Sequence, residues 1–387
     1  PPPPPPPPPP PFFFNADDGK RDPLWSRGLG DVYKRQTQYK NVSFKTFDFS
    51  PKINCFIGDN GIGKSNIIDS IYHLAFGKSY FNPIAIQNIQ VDKDFFVLDG
   101  RFEKDGRDEK IICSLKRGQK KIMKRNGKKY ERLSEHIGLI PTVIISPADR
   151  DLISDGSSAR RKFMDGVIGQ TDVLFLQNLI EYNKIISQRN ALLKFFALNN
   201  TFDKDSLVIY NEQLVKRSAI IYEKRLAFME DFIPVFNARY KNISEGKESI
   251  SLEYESQLQK QTHKELLETS LPKDKVLQYT TQGIHKDDIS FLLEGQPIKK
   301  FGSQGQQKTF LVALKFAQFE FLKTQIGGAP ILLLDDAFDK LDQKRVTQII
   351  SLVEKNDFGQ IFITDTHEER TLEALEKSQS NYQIFKL

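Results

Sequence analysis

One octapeptide constrains this chain more than any other stretch: Gly58-Asp59-Asn60-Gly61-Ile62-Gly63-Lys64-Ser65, which fits G-x-x-x-x-G-K-[ST]. Glycines in such a loop let the backbone turn tightly, so that successive N–H groups face phosphate oxygens. Lys64 can reach the β- and γ-phosphates of a nucleotide, and the Ser65 hydroxyl can hold Mg²⁺. The flanks agree. Lys52 to Ile57 is a short apolar run suited to a buried strand, and Ile67, Ile71 and Leu74 follow with helical spacing. Strand, glycine loop, helix is the order a P-loop needs. The helix start, with Asn66, adds its positive dipole to the anion site. The alternative is a glycine-rich turn without ligand.

At 387 residues the chain predicts two or three domains. With 39% hydrophobic and 27% charged residues, the composition is globular. No apolar run approaches the roughly 20 residues that span a bilayer. Nor does a basic region followed by an apolar one open the sequence. A membrane-free, cytoplasmic setting is therefore expected. Cys55 and Cys113 make no disulfide framework, and Cys55 reads as a small core residue. A formal charge of +6 leans toward an anionic partner without deciding it.

Residues 1–36 read differently. Eleven prolines and Phe12-Phe13-Phe14 lead into a mixed segment that ends at Gln36. This looks like a cloning, assembly or translation scar and is expected to be disordered. A polyproline arm for a proline-binding partner is the alternative.

Organised sequence begins near Thr37. Tyr39 to Phe49 reads as a strand pair, and Phe95 to Leu98 and Ile111 to Leu115 as further strands. Lys116 to Tyr130 holds eight Lys/Arg and no Asp/Glu, and Asn126-Gly127 is a two-residue hairpin turn. Lys120, Lys121, Lys124, Arg125, Lys128 and Lys129 thus stand on a basic β-ribbon. Its lysines either contact DNA phosphates or merely protect a solvated edge. Pro141 to Pro147 brackets another buried strand. Then Phe175, Leu179, Tyr182, Ile186, Leu193 and Phe196 recur at helical steps, as do Leu207, Tyr210, Leu214, Ile221 and Phe228. The two stripes predict an antiparallel helical hairpin, with Pro234 bending or ending its second helix. Residues 241–280 are polar and say little.

Ile331 to Leu334 followed by Asp335-Asp336 is the Walker B arrangement. A buried strand carries Asp335 to its C-terminal end, where it can bind Mg²⁺, and Asp336 can polarise the attacking water. Asp339-Lys340-Leu341-Asp342 follows, and Ile361 to Thr364 reads as one more sheet strand. His285 and His367 have no metal-ligand spacing around them. Arg160-Arg161 either caps a helix, pairs with Asp165 or organises a lobe interface.

With the P-loop, the helix start at Ser303, Gly305 and Gln306, Walker B and Leu341-Asp342, the chain resembles an ABC-type ATPase head. It is similar to the RecF family within that superfamily. Pro147 to Asp165 carries the likeness with Arg160 and Arg161. So do Gly283-x-His285-Lys286-Asp287-Asp288, Gly302 to Lys308, and Asp335-Asp336. The likeness runs from Thr37 to Leu387, and Tyr39-Lys40-Asn41 matches the family's early nucleotide-side motif. There are departures: Ala148, Ser157-Ser158, and Tyr80-Phe81-Asn82 where an arginine often follows Gly77-Lys78-Ser79. The alternating strand that precedes Tyr39 in the family is expected to be absent. Gln87 and Gln90 are candidates for a nucleotide-sensing glutamine.

The resemblance implies an α/β P-loop NTPase head with an inserted antiparallel helical arm. Residues 37–150 and 281–387 would form the head, and 151–280 the arm. It implies ATP and Mg²⁺ as cofactors, and a homodimer whose nucleotide lies between the P-loop of one copy and Ser303, Gly305 and Gln306 of the other. Lys40 and Asn41 would join the nucleotide side. It implies binding to gapped DNA or single-strand/duplex junctions, slow DNA-stimulated hydrolysis, and partnership with RecR, and through it RecO and RecA, at the nucleoid. An SMC-like chromosome clamp would need a far longer coiled coil. A transporter ATPase would fit poorly with the basic ribbon.

Overall fold

The computed structural model describes residues 30–244, 246, 248–336, 358–366 and 381–387, with residues 30–36 as backbone only. Residues 1–29, Asp339 to Asp342 and His367 lie outside the described residues.

In chain order the strands β1 (Gly30–Tyr39), β2 (Val42–Asp48) and β3 (Ile53–Ile57) lead through the glycine loop to helix α1 (Lys64–Phe76). Strands β4 (Phe95–Lys104), β5 (Arg107–Lys116), β6 (Ile122–Arg125), β7 (Lys128–Lys129) and β8 (Thr142–Ile145) follow. The helices α2 (Asp151–Ser154), α3 (Ser157–Thr171), α4 (Val173–Asn199) and α5 (Lys204–Ser244) come next. Then come β9 (Ile250–Glu255), α6 (His263–Thr269), α7 (Leu271–Leu277), β10 (Asp288–Leu293) and β11 (Gln296–Pro297). Finally α8 (Ile298–Phe301) and α9 (Gln304–Ile326) precede β12 (Ile331–Leu334), β13 (Ile361–Asp365) and β14 (Tyr382–Lys386).

The described strands form three sheets. The central one is parallel, in the order β14-β3-β13-β12-β8. Strands β3, β13, β12 and β8 are buried on both faces, which is why they read as apolar runs rather than alternating ones, while the edge strand β14 is exposed or half-buried. Alternate side chains enter different cores. Ile331 and Leu333 join Phe56, Ile144 and Phe362 in a core under α1 and the antiparallel sheet β2-β1-β4-β5-β6-β7. Leu332 and Leu334 join Val143, Ile145, Ile361 and Ile363 in a core shared with α3, α4, α5 and α9. The third sheet, β11-β10-β9, comes partly from the region that the sequence left unread.

Strand β1 corrects one expectation. It begins at Gly30, inside the segment set aside as disordered, and pairs with β2 on one side and β4 on the other. A backbone strand between two others fills its ladder hydrogen bonds whatever its side-chain pattern, so the missing alternation did not prevent it.

The helical hairpin forms as expected. Asp172 caps α4 by accepting the Phe175 N–H at 2.8 Å, and Asn200 ends it in the left-handed region at φ 50°. Phe175, Tyr182, Leu193 and Phe196 face Leu207, Leu214, Ile221 and Phe228 along the buried seam. Of the two outcomes expected at Pro234, an end is not the one seen: α5 runs through it to Ser244. A proline removes one helical N–H, and packing of Phe232, Phe236 and Tyr240 in the core offsets that loss.

Candidate functional site

The P-loop leaves the C-terminal end of β3 and enters α1, so the helix start and the ends of β12 and β13 meet at one edge of the central sheet. Asp59, Asn60, Gly61 and Ile62 form the exposed rim of the loop, while Gly63 and Lys64 are buried and Ser65 and Asn66 half-buried. Gly63 has φ 108°, and a Cβ there would sit 2.7 Å from Asn41 Oδ1. Only glycine suits that conformation at that distance. Lys64 Nζ donates to the carbonyls of Gly58 at 2.7 Å and Asp59 at 2.9 Å, which holds its ammonium across the loop.

Walker B closes against this loop. Asp335 is 4% exposed at the end of β12. It accepts a hydrogen bond from Thr364 Oγ1 at 2.9 Å, and the Ser65 hydroxyl lies nearby. Burial pushes the Asp335 carboxyl up to about 6, the Ser65 and Thr364 hydroxyls oppose this, and the charges of Asp336 and Asp69 add to it. A buried carboxylate and a half-buried hydroxyl beside a phosphate loop are hard oxygen donors suited to Mg²⁺. The next residue, Asp336, donates its backbone N–H to Thr364 Oγ1 at 2.9 Å. The structure therefore brings Lys64, Ser65, Asp335 and Asp336 together, with Thr364 as the piece that sequence reading left unassigned. Its signal was a lone hydroxyl ending the apolar run Ile361 to Thr364.

The two early residues have separate places. Asn41 Nδ2 donates to the Gly61 carbonyl at 3.3 Å, and its Oδ1 accepts from Asn66 Nδ2 at 2.7 Å, so Asn41 braces the loop. Lys40 is turned to a buried carboxylate: its Nζ lies 2.6 Å from Asp69 Oδ2. Asp69 also accepts from Tyr39 Oη and Ser79 Oγ, each at 2.7 Å, and from the Tyr80 N–H at 2.7 Å. Burial works to raise the Asp69 carboxyl, but the Lys40 ammonium and these hydrogen bonds hold it below its ordinary value.

The other proposed half of the site stands on α9. Ser303 is its N-cap: Ser303 Oγ accepts the Gln306 N–H at 3.2 Å, and Gln306 Oε1 accepts the Ser303 N–H at 2.7 Å. Gln306 Nε2 also donates to Glu248 at 3.0 Å. Gly305 lies in the first turn with them, at the capped start of α9. Of the glutamine candidates, Gln87 is exposed and Gln90 donates to Ser43 Oγ at 3.0 Å.

The basic ribbon exists as β6 and β7, with Asn126 at φ 49° and Gly127 at φ 83° in the turn. Its six cations differ. Arg125 is engaged by Glu109, with Nε 2.7 Å from Oε2, and Lys121 donates to the Gly77 carbonyl. Lys120, Lys124, Lys128 and Lys129 are exposed. Of the alternatives open for Arg160 and Arg161, pairing with Asp165 is not the one seen: Asp165 pairs with Arg225, while Arg160 forks onto Asp288 at 2.7 and 2.8 Å and Arg161 donates to the Asp287 carbonyl. They join α3 to the start of β10. Among the described residues no His/Cys/Asp/Glu cluster has metal-site geometry, and no helix is long and apolar enough to cross a membrane.

Residues 35–386 match the RecF/RecN/SMC N terminal domain family. A DNA replication and repair protein RecF of Flavobacterium johnsoniae is 59% identical over 349 residues, covering 90% of this chain and 97% of that protein. One from Bacteroides fragilis is 49% identical over 350 residues, covering 90% and 94%. A solved structure described as the recombination mediator protein RecF-ATP in the RecFOR pathway superposes with TM-score 0.83 at 28% identity, covering 93% of this chain and 96% of that one. An Smc head domain from Pyrococcus furiosus shares the fold at TM-score 0.52 and 15% identity, covering 89% and 92%.

Proposed function

The chain belongs to the RecF family of DNA replication and repair proteins, and from that premise we propose that ATP draws two copies of it together on DNA. The observation that carries this reading is the geometry around Asp335. The P-loop serine lies near the Walker B carboxylate at the C-terminal end of the central strands, Thr364 holds that carboxylate at 2.9 Å, and Lys64 spans the loop to the Gly58 carbonyl. Lys64 would hold the β- and γ-phosphates, and Ser65 and Asp335 would hold Mg²⁺, which supplies charge neutralisation at the transferring phosphoryl group. Asp336 would orient the attacking water. Ser303, Gly305 and Gln306 of a second copy would cover the γ-phosphate: the capping box takes up the Ser303 and Gln306 N–H groups, and the positive end of α9 with the Gly305 N–H would face the anion.

ATP need only favour the dimer by about 100-fold, or roughly 2.7 kcal/mol, which a few charge-assisted hydrogen bonds supply. Closure would align the exposed lysines of two ribbons on duplex phosphates. Slow hydrolysis, stimulated by DNA, would release the grip. In this reading the protein marks gapped DNA or single-strand/duplex junctions and, with RecR and RecO, helps place RecA. The hairpin, built on helices of 27 and 41 residues, is too short for an SMC-like rod and favours this reading over a chromosome clamp.

Sizing the protein with ATP, without it, and as Lys64→Met and Ser303→Arg tests the composite site. A dimer only for the unaltered protein in ATP is expected, together with ATP-dependent retention of gapped DNA. A monomer in every case, or a Ser303→Arg protein that still dimerises and retains DNA, would overturn it.

A further inference from the structure

Tyr80 grips a carboxylate with each of its ends. Its backbone N–H donates to Asp69 Oδ1 at 2.7 Å, and its hydroxyl donates to Asp149 Oδ1 at 2.5 Å. Each carboxylate has its own lysine: Lys40 lies 2.6 Å from Asp69, and Lys315 lies 2.7 Å from Asp149. Asp69 is on α1, directly behind the P-loop, whereas Lys315 is on α9, the helix that starts at Ser303. Asp149 is fixed from its other oxygen, which accepts the Ser146 N–H at 2.8 Å at the end of β8.

These residues join two layers that otherwise belong to different cores. Residues of α1 pack with the antiparallel sheet, and residues of α9 pack with α3 and α5. The crossing passes round β8, which is the edge strand of the central sheet. Beside it lies a cavity of about 620 Å³, lined by Tyr72, Phe76 and Phe81 from one layer and Phe163, Lys315 and Gln318 from the other. Packing between the layers is interrupted there, and the buried hydrogen bonds, with Lys315 5.8 Å from the Tyr80 ring centre, run directly between them. Burial, and then the Asp149 charge, push the Tyr80 hydroxyl well above its ordinary range, so it stays a proton donor. On the nucleotide side, Lys40 is next in sequence to Asn41, which holds the Gly61 carbonyl of the P-loop.

We infer that Tyr80 is a positioning residue: it transmits the state of the P-loop half to the start of α9 in the same chain. The inference rests on the dimer proposed above, in which the α9 start covers the nucleotide of the other copy. It adds that ATP on one P-loop sets the posture of the helix that closes the opposite site.

Hydrogen exchange on the full chain tests this, with protein diluted until sizing shows a monomer in ATP. ATP should alter exchange at the P-loop amides and at the amides of Gly305 to Thr309. Tyr80→Phe keeps the ring and the Asp69 bond but deletes the hydroxyl. It should preserve the P-loop response and lose the α9 response. At higher concentration it should demand roughly tenfold more ATP to dimerise, while nucleotide affinity of the dilute monomer stays the same. Asp149→Asn should lose the α9 response as well, at an added cost in stability because the buried Lys315 loses its carboxylate, and adding Tyr80→Phe to it should lower the α9 response no further. Should either variant fail to fold, the other carries the test. An α9 response equal to that of the unaltered protein, or none in the unaltered protein, overturns the inference. If Ser303→Arg still dimerises while Tyr80→Phe loses the α9 response, the dimer reading fails and the link stands.

Discussion

Thr364 gives its hydroxyl proton to Asp335 and takes the backbone N–H of Asp336, both at 2.9 Å. One side chain on β13 thus fixes the last residue pair of Walker B from the neighbouring strand. Thr364→Val keeps the shape and strands a buried carboxylate oxygen and a backbone N–H. A loss of about 1–3 kcal/mol in urea denaturation is expected. Mg²⁺-dependent nucleotide binding should weaken as well, and Thr364→Ser should restore both. Unchanged binding in Thr364→Val would remove Thr364 from the site.

The ribbon cations should separate into two kinds. Lys124→Gln, Lys128→Gln and Lys129→Gln should leave stability unchanged and flatten the salt dependence of DNA binding. Every lysine withdrawn from a phosphate should lower the log–log slope by about 0.9. Arg125→Gln should instead cost stability, because Glu109 loses its fork. A salt slope identical in the triple lysine variant would show that the ribbon is only a solvated edge.

Arg225 on α5 joins α3 to the segment that leads into β10. Its side chain is 2% exposed and bonds Asp165 twice at 2.9 Å, Asp287 at 2.7 Å and the Ile284 carbonyl at 2.8 Å. Arg225→Met fills the space and leaves two carboxylates without their partner. A destabilisation of about 3–5 kcal/mol is expected in chemical denaturation. A loss below about 1 kcal/mol would mean that solvent reaches the cluster.

Three buried histidines and one half-buried histidine set an acid limit. Burial lowers His73 to about 3, and His136, His263 and His285 to about 4. The unfolded chain protonates them near pH ~6.5. Between these values the unfolded state binds more protons, so stability is full above pH ~6.5 and is lost as pH falls toward 4. Each site adds up to about 1.4 kcal/mol per pH unit. Denaturation from about pH 7.5 down to about pH 5 should show this slope, and His136→Gln should reduce it by one site's share. A flat profile would sink the assignment.

What the sequence made legible follows from how local each feature is. The P-loop and Walker B are each contiguous, and the chemistry of each is written in adjacent residues, so Lys64, Ser65 and Asp335 could be picked out directly, and Ser65 lies near Asp335. The hairpin seam was legible because apolar residues repeat at helical steps. Arg189 was not: it occupies the next heptad position after Tyr182, yet is fully buried against Asp274, Thr280 and Asn211. A charge in a seam looks like an interruption until its partner, far along the chain, is placed. The Lys40–Asp69 pair was hidden for the same reason, and β1 because strand pairing is a backbone matter that side chains need not announce.

The parity of β12 has a practical consequence. Leu333 and Leu334 are neighbours of identical chemistry, both essentially inaccessible, yet they answer to opposite compartments of the molecule. Trimming one to alanine loosens the P-loop side; trimming the other loosens the arm side. Two adjacent codons thus serve as separate dials for asking which compartment yields first when the protein is pulled or heated.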